Sequence, residues 1–435
     1  MVHDLDAGLL SPVTVGHDAA VSDAALLSAL VGAEIALVRA GERLGLVPAE
    51  AAEEIAARGE AGIDLAELTS AAVAGGNPVI PLVVGLRAGV SDSTSSWIHR
   101  GATSQDILDT ALMMIAVRAR TEILAHLDRA RRTLRDLAGA HRDTVAVART
   151  LTQHAVPTTL GARAATWLGG VDRAAKRLSG LELPAQLAGA GGTLASFVEI
   201  AGTETAARFP LVFAEEAGLA PPPAPWHVMR WPVTELGDAL VQSIDALAKI
   251  AADVATLSRT EIGELAEGVG GGSSAMPQKR NPTASVLVRS AGIRAPHLGA
   301  TLHAAAALAV DERPDGAWHA EWPVLRELLR LTLGAAATAA EMLAGLRVDA
   351  AAVTRSLGAS GGLILSERLA LALTPLIGRE RTQELLAAAG RGEDLAGLLR
   401  ALPEEVDATE LLDPARYTGL ATGLADRAAS EQEQS

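Results

Sequence analysis

From Ser104 to Ala138 the chain runs without a glycine or proline. Apolar side chains return there at helical spacing through Ile107, Leu108, Ala111, Leu112, Ile115 and Val117. The stretch predicts a helix far longer than the average, capped by Thr103 or Ser104. So long a helix needs apolar partners along its whole length. Further long periods lie at about Thr158 to Leu181, Val233 to Gly263, Pro282 to Leu308 and Pro323 to Leu346. Together they predict a helical bundle that continues across subunits, hence a homo-oligomer. Composition agrees: 49% of residues are hydrophobic but only 2% aromatic. That Ala, Leu and Val mix packs helices closely and does not suit a β-sandwich.

The 435 residues exceed one compact core and point to two or three domains. A formal charge of −15 with no Lys/Arg run argues against nucleic acid as a partner. Ala-rich stretches such as Ala304 to Val310 are short and flanked by charge, so no membrane insertion is expected. No cationic segment followed by an apolar one opens the chain. Cysteine is absent, which excludes disulfides, thiol nucleophiles and Cys metal sites. The expectation is a soluble cytoplasmic protein.

Ahead of the first long period, Ala24 to Leu46 and a segment opened by Pro48 read as helices. More helices follow through about Leu86, then a polar, irregular loop from Asp92 to Gly101. Residues 186–197 are Gly-rich, and Pro221 to Pro225 form an extended connector. The elements shorten after Val348, and residues 430–435 read as a disordered tail.

Chemistry concentrates in a few stretches. Gly270-Gly271-Gly272-Ser273-Ser274-Ala275-Met276-Pro277-Gln278-Lys279-Arg280-Asn281-Pro282 joins a permissive backbone to two hydroxyls, a cation and an amide that can reach one small anion. A plain Gly-Ser linker has no use for Met-Pro-x-Lys-x-Asn-Pro. In His99-Arg100-Gly101-Ala102-Thr103-Ser104-Gln105-Asp106, Thr103 and Ser104 sit at a helix N-terminus, a favourable place for a carboxylate; an ordinary N-cap is the plainer reading. Arg149-Thr150-Leu151-Thr152-Gln153-His154 lies beside another helix start, where His154 reads as a ligand contact or as a structural histidine. Trp226-His227-Val228-Met229-Arg230, and Arg313 with Trp318-His319-Ala320-Glu321-Trp322, are weaker signals, because Trp pairs usually mean packing. No His pair has metal-ligand spacing, and no P-loop or dinucleotide-binding turn occurs, so neither metal nor cofactor is expected.

The first three of these stretches, on an Ala/Leu helical chain, resemble the separated motifs of the fumarase/aspartase superfamily over nearly the whole length. The resemblance implies an all-α, three-domain fold with a long central helical bundle. We place the domains at residues 1–103, 104–347 and 348–435, the last a small helical domain with the tail. It also implies a homotetramer with each active site built from three subunits. The reaction would be an anti β-elimination, or its reverse, on a succinyl-type dicarboxylate. Removing a proton beside a carboxylate leaves an aci-carboxylate with two negative charges on one group, and helix N-termini with Thr103, Ser104, Lys279 and Asn281 suit that charge. By the same resemblance Ser273 is the base, active when its loop closes and excludes water. Ser274 is the less favoured neighbour. His154 is carried over as a further catalytic candidate, with Arg100, Arg149, Gln153 and Arg313 as substrate-binding candidates.

The second motif departs from the family pattern. Most of these lyases have Thr-His-x-Gln there, and the His, paired with a Glu beyond the signature loop, assists the leaving group. Here Leu151 stands at the His position and Val286 at the Glu position. Neither can transfer a proton, so the leaving group should be a weak base that departs without help. That favours two branches: 3-carboxy-cis,cis-muconate cycloisomerases, with a carboxylate leaving group, and nitrosuccinate lyases, which release fumarate and nitrous acid. The chain shares Arg-Thr-Leu-x-Gln-His and Trp-His-Ala-Glu-Trp with the cycloisomerases. It departs from them at Gln278, at Trp231-Pro232 and at Val310-Asp311, losing cationic groups and so suiting a smaller substrate with fewer carboxylates. The nitrosuccinate reading is preferred on that ground. A non-catalytic scaffold of this superfamily would be expected to lose the loop Ser or Lys; Ser273, Lys279 and Asn281 are all present.

Overall fold

A computed structural model describes residues 8–272, 276, 278–402 and 406–430. Of the tail expected at residues 430–435, Ser430 closes the last helix and the rest lies outside the described residues. The chain is mostly helical. Helices α1 (Asp23–Arg43), α2 (Ala49–Arg58), α3 (Leu65–Gly75) and α4 (Val79–Ala88) precede a four-residue turn of helix, α5 (Asp92–Ser95). The long helices follow: α6 (Ser104–Ala140), α7 (Leu160–Ser179), α8 (Ala195–Ala217), α9 (Trp231–Leu257), α10 (Thr283–Ala307) and α11 (Gly316–Ala344). After Ala350 the helices are short. Helix α1 starts where the Ser22 hydroxyl accepts the Ala25 N–H at 3.2 Å, an N-cap reinforced by Asp23 in the first turn. By length and hydropathy α1 could cross a membrane, but 61% of its most apolar window is packed inside the protein. It packs on α8, with Gly41 beside the Phe209 ring.

The chain forms two compact units. One takes the residues up to Ala125, Ala175–Asp245 and Ser290–Ala337; the other takes His126–Ala174, Ala246–Arg289 and the residues from Thr338 onward. In the first, small residues let helices approach closely. A Cβ on Gly237 of α9 would lie 2.6 Å from Leu302 of α10, closer than packing allows. The stripe of α6 is buried as expected from Ile107 to Ile115, with Val117 half-buried. Gln105, Asp106, Asp109 and Thr110 are also wholly buried, so the first turns of α6 carry polar side chains out of water.

Several elements differ from the sequence expectation. The stretch read as lying beside a helix start is a strand pair: β1 (Val145–Thr150) and β2 (Gln153–Thr159) form an antiparallel hairpin, and α7 begins at Leu160. Alternate side chains explain it, since Ala146 packs with Leu160 and Val353, and Val147 with Ile364 and Leu365. A second, two-residue pair joins β3 (Leu265–Ala266) to β4 (Arg347–Val348). The all-α expectation holds as a mostly helical chain, to which the structure adds two small strand pairs. Helix α8 was hidden in the sequence by Gly202, at φ 74°, and by Pro210 inside it. Helix α11 begins at Gly316 and not at Pro323, because Trp318 and Glu321 on its first turns are held by buried partners described below.

Candidate active site

The His99–Asp106 stretch leads into α6 in the first unit. His99 has a left-handed backbone, φ 58°, and its Nδ1 lies 2.7 Å from Oε1 of Glu34 on α1. Burial pushes the imidazolium towards losing its proton. The Glu34 hydrogen bond and charge, with Asp106, outweigh that effect against the opposing Arg87, so the His99 pKa is raised. Arg100 is exposed and lies over the Trp97 ring, 4.4 Å from its centroid. Thr103 and Ser104 are half-buried at the start of the helix. The Thr103 N–H donates to Oδ2 of Asp106 at 2.9 Å, so a carboxylate in the first turn closes the N-terminus back on itself.

Asp106 is the hub of that end. Its carboxylate also accepts the Ala188 N–H at 2.9 Å and the Gly189 N–H at 3.0 Å, and it pairs with His227 Nε2 at 2.8 Å. Gly189 is required here: its φ is 74°, and a Cβ would sit 3.2 Å from the Gly101 carbonyl. Arg313 binds the same loop, donating from Nη2 to the Ala190 carbonyl at 3.0 Å. One turn along α6, Asp109 receives Arg230 at 2.7 and 3.0 Å and the Trp318 indole N–H at 2.9 Å. The other edge of Arg230 meets Glu321 at 2.7 and 3.0 Å. Burial opposes the Arg230 charge, but Asp109 and Glu321 outweigh it and hold the guanidinium protonated. The weak Trp-His and Trp-His-Ala-Glu-Trp signals are thus the packing and pairing that fix the N-terminus of α6. The sequence clue to them was the i, i+3 acid pair Asp106 and Asp109 inside an apolar helix.

The second and third stretches lie in the other unit. The Leu151-Thr152 turn of the hairpin has φ 47° and 73°, both left-handed, and Leu151 is 96% exposed. Gln153 and His154 are exposed on β2, with His154 opposite Arg149 in the register. Arg149 points elsewhere: its Nη2 and Nη1 donate to the two oxygens of the wholly buried Glu264, at 2.5 and 3.2 Å. Burial alone would raise the Glu264 pKa, but Arg149, Ser356 and Arg163 hold it below the usual range. The pair ties the hairpin to the chain entering the signature loop.

That loop has a defined stem. Gly271 and Asn281 exchange backbone hydrogen bonds at 3.0 and 2.9 Å. Below them Glu267 accepts the Ala284 and Ser285 N–H groups and the Ser285 hydroxyl, at 3.0, 2.8 and 2.6 Å, capping α10. Asn281 is half-buried and Lys279 exposed. Ser273 and Ser274 lie outside the described residues. Val286 is on the first turn of α10, 52% exposed.

The profile of a family described as lyase matches residues 28–296. The chain belongs to this lyase family, within the fumarase/aspartase superfamily. The lyase is 49% identical to the nitrosuccinate lyase of Streptomyces davaonensis, over 98% of this chain and 94% of that one. It is 40% identical to the 3-carboxy-cis,cis-muconate cycloisomerase of Pseudomonas aeruginosa, over 95% and 93%. Its fold matches the crystal structure of the 3-carboxy-cis,cis-muconate lactonizing enzyme from Pseudomonas putida with a TM-score of 0.86 at 35% identity, each chain covered to 94%.

Proposed function

We propose that this lyase eliminates nitrite from nitrosuccinate, leaving fumarate. Ser273, as an oxyanion, takes a proton from the carbon beside one carboxylate. The resulting aci-carboxylate is stabilised by Lys279 and Asn281 and by the hydroxyls of Thr103 and Ser104 at the start of α6. The C–N bond then breaks and nitrite departs with its electron pair. Gln153, His154, Arg100 and Arg313 position the substrate; Ser274 is an alternative base. Arg149 contributes to substrate binding indirectly, because its pairing with Glu264 holds the hairpin that carries Gln153 and His154. It also includes the three domains at 1–103, 104–347 and 348–435, a cytoplasmic homotetramer, and active sites shared between subunits.

The observation that carries this reading is the pair Leu151 and Val286, both exposed and both apolar. By the family resemblance they occupy the positions of the proton-transferring pair. An amine or hydroxide leaving group is then poorly served, whereas nitrite leaves without a proton. The likeness to the Streptomyces nitrosuccinate lyase supports nitrosuccinate over other weak-base cases. The alternative is a lactone-forming 3-carboxy-cis,cis-muconate cycloisomerase, favoured by the Pseudomonas relatives and by the same apolar pair.

The test is a paired assay. Purified protein should release fumarate and nitrite in equal amounts from nitrosuccinate, and should consume 3-carboxy-cis,cis-muconate far more slowly. The reverse preference would transfer the assignment to the cycloisomerase.

A further inference from the structure

His99 and Glu34 form a pair that packing alone does not explain. Glu34 is wholly buried in α1 among alanines and leucines, and its Oε2 has no hydrogen-bond partner. A buried carboxylate with one hydrogen bond is costly unless a cation stands against it. The partner is His99, 2.7 Å away and only 18% exposed, on a left-handed backbone that a non-glycine residue adopts at a cost of about 1 kcal/mol. Nδ1 is taken by Glu34, and Nε2 has no partner among the described residues. The residue lies four positions before Thr103, at the entry to α6.

We propose that Glu34 is a positioning residue that holds His99 as an imidazolium, whose free Nε2–H binds a substrate carboxylate beside Thr103 and Ser104. This rests on the succinyl-type substrate argued above. The charged groups acting on His99 are Glu34 from α1 and Asp106 from α6, which favour its charge, and Arg87 from α4, which opposes it. A raised histidine pKa keeps the cation present at neutral pH, and the cation is lost as pH rises through that value. Removing the Glu34 charge moves the loss to lower pH.

The test is binding of succinate, a dicarboxylate with no leaving group, to the full-length protein by calorimetry from pH 6 to 9. At pH 8 Glu34→Gln should bind about tenfold more weakly than wild type, and at pH 6 the gap should narrow. His99→Gln should lose affinity at pH 6 and no longer depend on pH in this range. An unchanged pH profile in Glu34→Gln, wild-type affinity in His99→Gln at pH 6, or no succinate binding by wild type would each overturn the inference. If Glu34→Gln does not fold, the His99 ring titration by NMR decides: a midpoint at or below about 6.5 overturns the inference. Wild-type protein that shows the Glu34-dependent binding yet releases no nitrite would sink the reaction assignment and leave this inference standing.

Discussion

Leu151 and Thr152 put two left-handed, non-glycine residues in one hairpin turn. Such a turn favours Asn-Gly, and a branched side chain there costs about 1 kcal/mol. Leu151 buries almost nothing in return, so strain at this position points to a role in the site. Leu151→Asn should therefore raise the urea unfolding midpoint, by roughly 0.5–1 kcal/mol of stability, while lowering turnover. Unchanged turnover would remove Leu151 from the site. At the same scale, Ser273→Ala should reduce turnover by about three orders of magnitude or more, with unfolding unchanged. His154→Ala should raise KM more than it lowers kcat. These residue identities were legible in the sequence because each motif is a run of neighbours. What they touch was not: Arg149 reads as an anion ligand, yet its guanidinium is engaged by Glu264, 115 positions away.

At the scale of elements, the start of α6 depends on charges fixed from α9 and α11. Arg230→Met would leave Asp109 and Glu321 buried without a counter-charge, and should destabilise by about 3–5 kcal/mol. A thermal midpoint within a few degrees of wild type would show that these acids are relieved by other means. The hairpin makes a separate, pH-dependent prediction through Glu264. A carboxylate held below its ordinary range contributes stability that is present above about pH 4.3 and is lost as pH falls through its lowered native value. The wild type should thus lose more stability between pH 5 and pH 3 than Glu264→Gln does, as read from midpoints at each pH. Helix periods were legible here, because i, i+3 and i+4 spacing is local. The hairpin was not, because Ala146 and Val147 become strand residues only by packing against Val353, Ile364 and Leu365.

At the scale of the molecule, Val286 and Ile293 are exposed apolar residues two turns apart on α10, as expected of helices that seek partners beyond one chain. Light scattering should give four times the chain mass. If each active site draws on several subunits, Ser273→Ala and Thr103→Val proteins, each inactive, should recover activity when refolded together. No recovery in mixed tetramers would place each site within one chain.

The sequence by itself determined the helical architecture and the family, and it carries the signature loop on which the proposed chemistry rests. These are written in short-range patterns, namely apolar periodicity and runs of neighbouring motif residues. Only the tertiary structure decided which charges are held and by what. Asp106 meets His227, Asp109 meets Arg230 and Trp318, and Glu34 meets His99, across separations of 121, 121, 209 and 65 positions. Burial is what makes those pairings matter, since a charge in water needs no partner and a charge in the core does. No local pattern states which residues folding will take out of water together.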